Sequence, residues 1–139
     1  MPTFSAQVSE HVRRYKRRME FVFKQSAQDV IGLAQAGQPS VKVTGGSFEI
    51  GAVPVDTGFL INSLTSGLNG QYGFDGKDSY LLAIAGAELG DSIQAGWTAS
   101  YALDVEYGNA FMEGRFFVRA NAQKWQQIVD ENAAQAMSI

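Results

Sequence analysis

Asp56-Thr57-Gly58, inside VPVDTGFLINSL (Val53 to Leu64), is the first place in this chain to look for reactivity. An aspartate on a tight loop followed by Thr and Gly is half of a paired-carboxylate hydrolytic site, in which two aspartates about 3 Å apart share one proton. Asp104 and Glu106, two residues apart in SYALDVEYG, offer a second pair of carboxylates. RRYKRR, Arg13 to Arg18, holds five of the 11 basic residues and offers a concentrated positive face. The only histidine is His11, and there is no cysteine, so thiolate chemistry, disulfides, Cys-based metal sites and multi-histidine clusters are excluded.

Each group also has a structural reading. One Asp-Thr-Gly triplet makes a protease only as a dimer, and aspartic proteases set their aspartates in an all-β frame. This chain opens and closes with helical patterns. Phe-Leu-Ile-Asn-Ser follows Gly58, where those enzymes usually continue with a small residue. The alternative is that Asp56 or Thr57 caps a short helix and Gly58 allows a close approach. Asp104 and Glu106 diverge if helical and lack an acid-base partner if extended. No nucleophile, base and orienting group can be assembled around His11. The sequence therefore assigns no catalytic residue, cofactor or metal ligand. Arg13, Arg14, Arg17 and Arg18 share one broad helix face, with Lys16 to its side. Three uses are open to it: a solvated face, an interface with acidic groups of a neighbouring subunit, or contact with DNA phosphates.

A chain of 139 residues predicts one domain, 1–139, with a modest core. A hydrophobic fraction of 45%, a charged fraction of 18% and a net charge of -3 suit a globular protein and argue against generic nucleic-acid binding. No apolar run reaches membrane-spanning length, and the N-terminus lacks the apolar run of a signal peptide. The expectation is synthesis in a cytoplasm and no membrane partner.

The elements that must position these groups follow from periodicity. Phe4, Val8, Val12, Tyr15, Met19, Val22, Val30 and Leu33 recur at helical spacing and predict one long helix over 4–35. Pro2 and Thr3 mark its start, and Gly37 with Pro39 its end. Residues 37–55 read as a Gly-, Ser- and Thr-rich loop or arm with two β-type pieces, VKV and SFEI. Residues 57–64 read as a short helix with Leu60 and Leu64 on one face. Residues 67–78 read as turns or a flexible loop. YLLAIAGAEL and SIQAGWTA read as a β-hairpin around Gly90-Asp91. SYALDVEYG alternates like a strand, yet Thr98 or Ser100 can cap a helix start and Gly108 can close its end, which favours a short helix. Residues 116–136 read as a helix with Phe117, Ala120, Trp125, Ile128 and Val129 inward. The fold class expected is α+β, with long N-terminal and C-terminal helices on a small antiparallel β-sheet.

Three blocks, in order, carry a resemblance. VPVDTGFLINSL resembles the V-x-T-G-x-L-x-x-S block of a phage tail-component family, the head–tail connector proteins of long-tailed phages (tail-completion or neck proteins). SYALDVEYG is similar to that family's Y-A-x-x-V-E-x-G block, and GRFFVRANAQKW to its closing F-[LMF]-x-x-A segment. The resemblance implies a structural virion protein without catalysis, at the head–tail junction after assembly in the host cytoplasm. It implies a homo-oligomeric ring, commonly hexameric, between head-completion and tail-tube proteins, with DNA passing through the lumen without sequence-specific binding. Asp56, Thr57, Gly58, Leu60, Ser63, Tyr101, Glu106, Tyr107, Gly108, Phe117 and Ala120 are the family-motif or subunit-contact residues so implied. Arg13, Arg14, Arg17 and Arg18 would then face acidic partners on an adjacent subunit or ring. A tail terminator ring capping the tail tube is the closest alternative, and a dimeric aspartic protease through Asp56-Thr57-Gly58 a remote one.

Overall fold

The computed structural model describes residues 3–139. Helix α1, Phe4–Gln35, begins where Thr3 Oγ1 accepts the Ala6 N–H at 3.1 Å. Pro2, read above as part of the start signal, lies outside the described residues. Gly37, at φ +75°, turns the chain away after the helix. The remaining elements are β1 (Gln38–Pro39), α2 (Val41–Thr44), β2 (Pro54–Val55), α3 (Phe59–Asn62), β3 (Leu64–Leu68), β4 (Gln71–Asp75), α4 (Ser79–Ala85), β5 (Ile93–Trp97), α5 (Ala102–Tyr107), β6 (Gly108–Asn109), β7 (Met112–Glu113), α6 (Arg119–Ala122) and α7 (Trp125–Ala136). The architecture is α+β, with the first and last helices packed together beside a three-stranded antiparallel sheet of order β4-β3-β5.

Helices α1 and α7 run antiparallel. Asn132 Nδ2 donates to Ser26 Oγ at 3.2 Å and Asp29 Oδ2 at 2.9 Å, while Arg18 donates to the Ile139 and Met137 carbonyls. Ser26 is the buried residue of α1 at this contact, while Ala27, Ala34 and Gln35 are buried against the rest of the body. One apolar cluster joins Ala27 and Leu64 to Tyr80 and Ile84 of α4. A second joins Ala34, Val53, Leu60, Ile61, Ala99, Val105 and Phe117. Trp97 packs against both, meeting Phe117 edge-on at 4.8 Å. The Gln35 amide locks the seam: its nitrogen donates to the Ile61 and Lys77 carbonyls, and its oxygen accepts from the Trp97 indole at 2.9 Å. Every polar atom of that buried side chain is thereby satisfied.

Several expected elements differ. YLLAIA is helix α4, because Tyr80, Ala83 and Ile84 are buried at i, i+3 and i+4 while Leu81 and Leu82 point out. The strand SIQAGWTA does exist as β5, but its partner is β3, with Ser66 opposite Ala95. The segment read as turns holds the hairpin β3–β4, closed by Asn69-Gly70 at φ 54° and 85°, the left-handed pair of a type I′ turn. Gly67 sits at its bulge, where a Cβ would stand 1.7 Å from the Gln71 carbonyl oxygen. VKV is the helical turn α2 and SFEI forms no strand; the pairing in this arm is parallel, Gln38–Pro39 with Pro54–Val55. The closing helix is interrupted at Gln123-Lys124. The Asn121 amide takes the Phe117 carbonyl at 2.7 Å, competing with the backbone ladder, and reaches the Gly51 carbonyl at 2.6 Å.

The largest difference lies in α1. Every residue from Thr3 to Arg17 is exposed. Phe4, Val8 and Val12 thus form a stripe that the described residues leave uncovered, with Tyr15 at its base beside a groove shared with Leu89, Trp125 and Met137. The helix is a packed C-terminal half and a free N-terminal arm. Among the described residues, no helix is long and apolar enough to cross a membrane.

Candidate functional site

The three blocks singled out above meet in one packed unit. Leu60 from the first, Val105 from the second and Phe117 from the third share a cluster, at 3%, 5% and 1% exposure. The strongest link between them is Glu106. Its buried carboxylate accepts the Val118 N–H on Oε1 and the Arg119 N–H on Oε2, both at 2.9 Å. Those are donors at the start of α6 that have no partner within the helix, and a carboxylate at a helix start is electrostatically favoured. Gly108, at φ +83°, follows because the returning chain passes close: a Cβ there would meet the Gly114 nitrogen at 2.7 Å. Glu106 and Gly108 are thus internal fastenings of the α5–α6 corner.

The Asp-Thr-Gly triplet takes a different form from a cap formed by Asp56. The α3 N-cap is Gly58, at φ +86°, with no side-chain cap bond. Thr57 Oγ1 accepts the Phe59 N–H at 3.3 Å, a local turn contact two residues on. Asp56 is exposed and pairs with Lys42 at 3.2 Å. It is the one acidic residue lining a groove of about 450 Å³ whose walls include Phe59, Tyr101, Val105 and Arg115. Ser63 is half-buried and spends its hydroxyl on the Leu60 carbonyl at 2.7 Å, while its own carbonyl accepts from Thr98. Ala120 is half-buried at the start of α6.

Tyr101 and Tyr107 do face outward. Tyr101 stacks on Phe59 at 6.0 Å and Tyr107 meets Phe116 edge-on at 6.5 Å. Around them the sequence reading missed an apolar surface: Phe59 is 60% exposed, Leu103 71% and Phe111 96%. Leu103 and Tyr107 lie at i and i+4 of α5, on one face with Asp104 beside them. Phe111 tips the turn between β6 and β7, braced by Asn109 Oδ1, which accepts the Phe111 N–H at 2.8 Å. The signal for it was the Gly108–Gly114 bracket, which pinches a short hairpin out of the chain.

Arg115 also escaped the sequence reading. It is 4% exposed, stacks over the Phe48 ring at 3.8 Å, and donates to the Glu113 carbonyl. Burial pushes its pKa down, opposed by the nearby Glu113 charge. Of the basic face, Arg13 approaches Glu10 at 3.6 Å and Arg18 is committed to the C-terminal carbonyls. Arg14 and Arg17 are exposed. His11 is exposed on the arm, and Trp125 is 42% exposed rather than core. No family model, no curated protein and no solved structure matches this chain.

Proposed function

We propose that this chain is a structural subunit of a ring at the head–tail junction of a long-tailed phage, of the tail-completion or neck kind. The observation that carries the reading is the fate of the three motif blocks. They converge on one corner, Leu60, Val105, Phe117 and Glu106, and the same corner turns Phe59, Tyr101, Leu103, Tyr107 and Phe111 out to solvent. Large exposed apolar side chains gathered on one such corner are the composition of a protein interface. The α1 arm supplies a second uncovered surface on a different part of the molecule. Two unlike surfaces are what a head-to-tail ring uses, since each copy must offer a different face to each neighbour. In such a ring the subunit is a spacer and seal. The overall negative charge suits a lumen through which DNA slides without being gripped.

The test is electron microscopy of the purified full chain, alone and mixed with tail tubes. Closed rings, free and seated at tube ends, are expected. A monodisperse dimer that ignores tube ends would overturn the reading. The Asp56→Asn variant separates this reading from a hydrolytic one, because ring formation survives it and a paired-aspartate activity does not.

A further inference from the structure

The free arm of α1 has a geometry that fixes what it needs. From Thr3 to Arg17 every residue is exposed, Phe4 at 82%, Val8 at 44%, Val12 at 45% and Tyr15 at 62%, these four on one stripe. Isolated helices of about 15 residues are marginal in water, so this one calls for a covering surface. Among the described residues the body reaches only its base: α7 ends at the level of Arg18, and Tyr15 shares a groove with Leu89, Trp125 and Met137. At 100° per residue Arg14 and Lys16 flank the stripe, while Arg13 and Arg17 lie on the far side of the helix, and Glu10 is the single acid on the arm. The Arg13–Glu10 pair is exposed on both sides and neutralises little. A matching surface must therefore be apolar and acidic.

The α5 corner has that composition. Leu103, Tyr107 and Phe111 are its exposed apolar groups, and Asp104 and Glu113 its exposed acids, neither engaged in an ion pair among the described residues. Asp56 at its edge is held by Lys42. We infer that the α1 arm of one copy seats on the α5 corner of the next, stripe against Leu103, Tyr107 and Phe111, cations against Asp104 and Glu113. This deepens the ring reading and rests on it for closure. A helix presenting anchors at i, i+4, i+8 and i+11 to an apolar surface is a recurrent recognition mode. Pairing two arms instead would bring the flanking Arg14 and Lys16 of each copy together. The contact is heterologous, so an open row keeps one free arm at one end and one free corner at the other until the set closes.

Charge exchange tests it. One variant carries Arg14→Glu and Lys16→Glu; a second carries Asp104→Lys and Glu113→Lys. All four positions are exposed, so circular dichroism should report an unchanged fold. Mass measured by light scattering should show that each variant alone associates at least about tenfold more weakly than wild type. An equimolar mixture should recover assembly, because the acidic arm then meets a basic corner and the basic arm an acidic one. Both variants assembling like wild type, or a mixture that stays dissociated, overturns the contact. So does a wild-type chain that remains monomeric while its arm binds anionic vesicles. Rings that persist in both variants overturn the contact but leave the ring reading standing. Open filaments that dissolve in each variant and return on mixing keep the contact and remove the ring.

Discussion

Glu106→Gln and Glu106→Ala measure whether the second and third blocks are tied by the carboxylate or merely lie close. The carboxylate accepts two N–H groups at 2.9 Å, from Val118 and Arg119. Hydrogen bonds to a charged group contribute about 1.5–3 kcal/mol each, and a donor left without a partner costs about 1–3 kcal/mol. Both bonds are only part-buried, so water recovers some of the loss and the lower ends apply. Gln keeps one acceptor and turns an N–H₂ toward the other donor, for about 1.5 kcal/mol. Ala abandons both donors, for about 3 kcal/mol. At roughly 3 °C per kcal/mol for a chain of this size, melting should fall by about 5 °C and about 10 °C. Urea titration of dilute, dissociated protein should give the same order with an unchanged m-value. If both variants melt within about 1 °C of wild type, the carboxylate does not fasten α6. If melting is unchanged but assembly fails, Glu106 is a subunit contact after all.

Gly67→Ala should be among the most damaging single methyl additions, because its Cβ would meet the Gln71 carbonyl oxygen at 1.7 Å. A loss above about 3 kcal/mol is expected by thermal melting, while Gly73→Ala in the same hairpin, with nothing within 4 Å, should change little. Asp91 has a depressed pKa because its carboxylate accepts from the Asn69 amide and the Glu88 N–H. A depressed acid adds stability above the ordinary carboxylate value of about 3.9 and loses it as pH falls through the lower folded value. Asp91→Asn should therefore flatten the stability–pH curve below about pH 4, measured by urea midpoints, with no effect on its slope near neutrality.

How much could be read beforehand depended on whether neighbours in the sequence were also neighbours in the fold. The span of α1 was legible because its stripe, its Thr3 cap and Gly37 all act locally. What covers the stripe was not, since periodicity names a helix face without naming its partner. Gly90-Asp91 looked like a hairpin turn, whereas Asn69-Gly70 is the actual one, hidden among glycines whose spacing suggested loop. In YLLAIA both periods fit six apolar residues, and the decision falls to burial against β3. Glu106 was placed in a meaningful block, but its role depends on two N–H groups 12 and 13 residues downstream. The Leu103–Phe111 surface combines a helix face with a turn, and neither shows an excess of apolar residues alone.

The division of α1 at Arg18 has a mechanical side. Between Phe4 and Arg18 lie 14 helical steps, a rod of about 21 Å at 1.5 Å per residue. Its base is clamped by hydrogen bonds from Arg18 to the last carbonyls of the chain. A tilt of about 10° at that pivot sweeps Phe4 through about 4 Å, while Ser26, Ala27 and Ala34 stay seated against their neighbours. The rod thus converts a slight rotation at its clamp into a displacement the width of a side chain at its tip. In the proposed assembly the same rod would span neighbours whose spacing differs by about 4 Å without repacking either body.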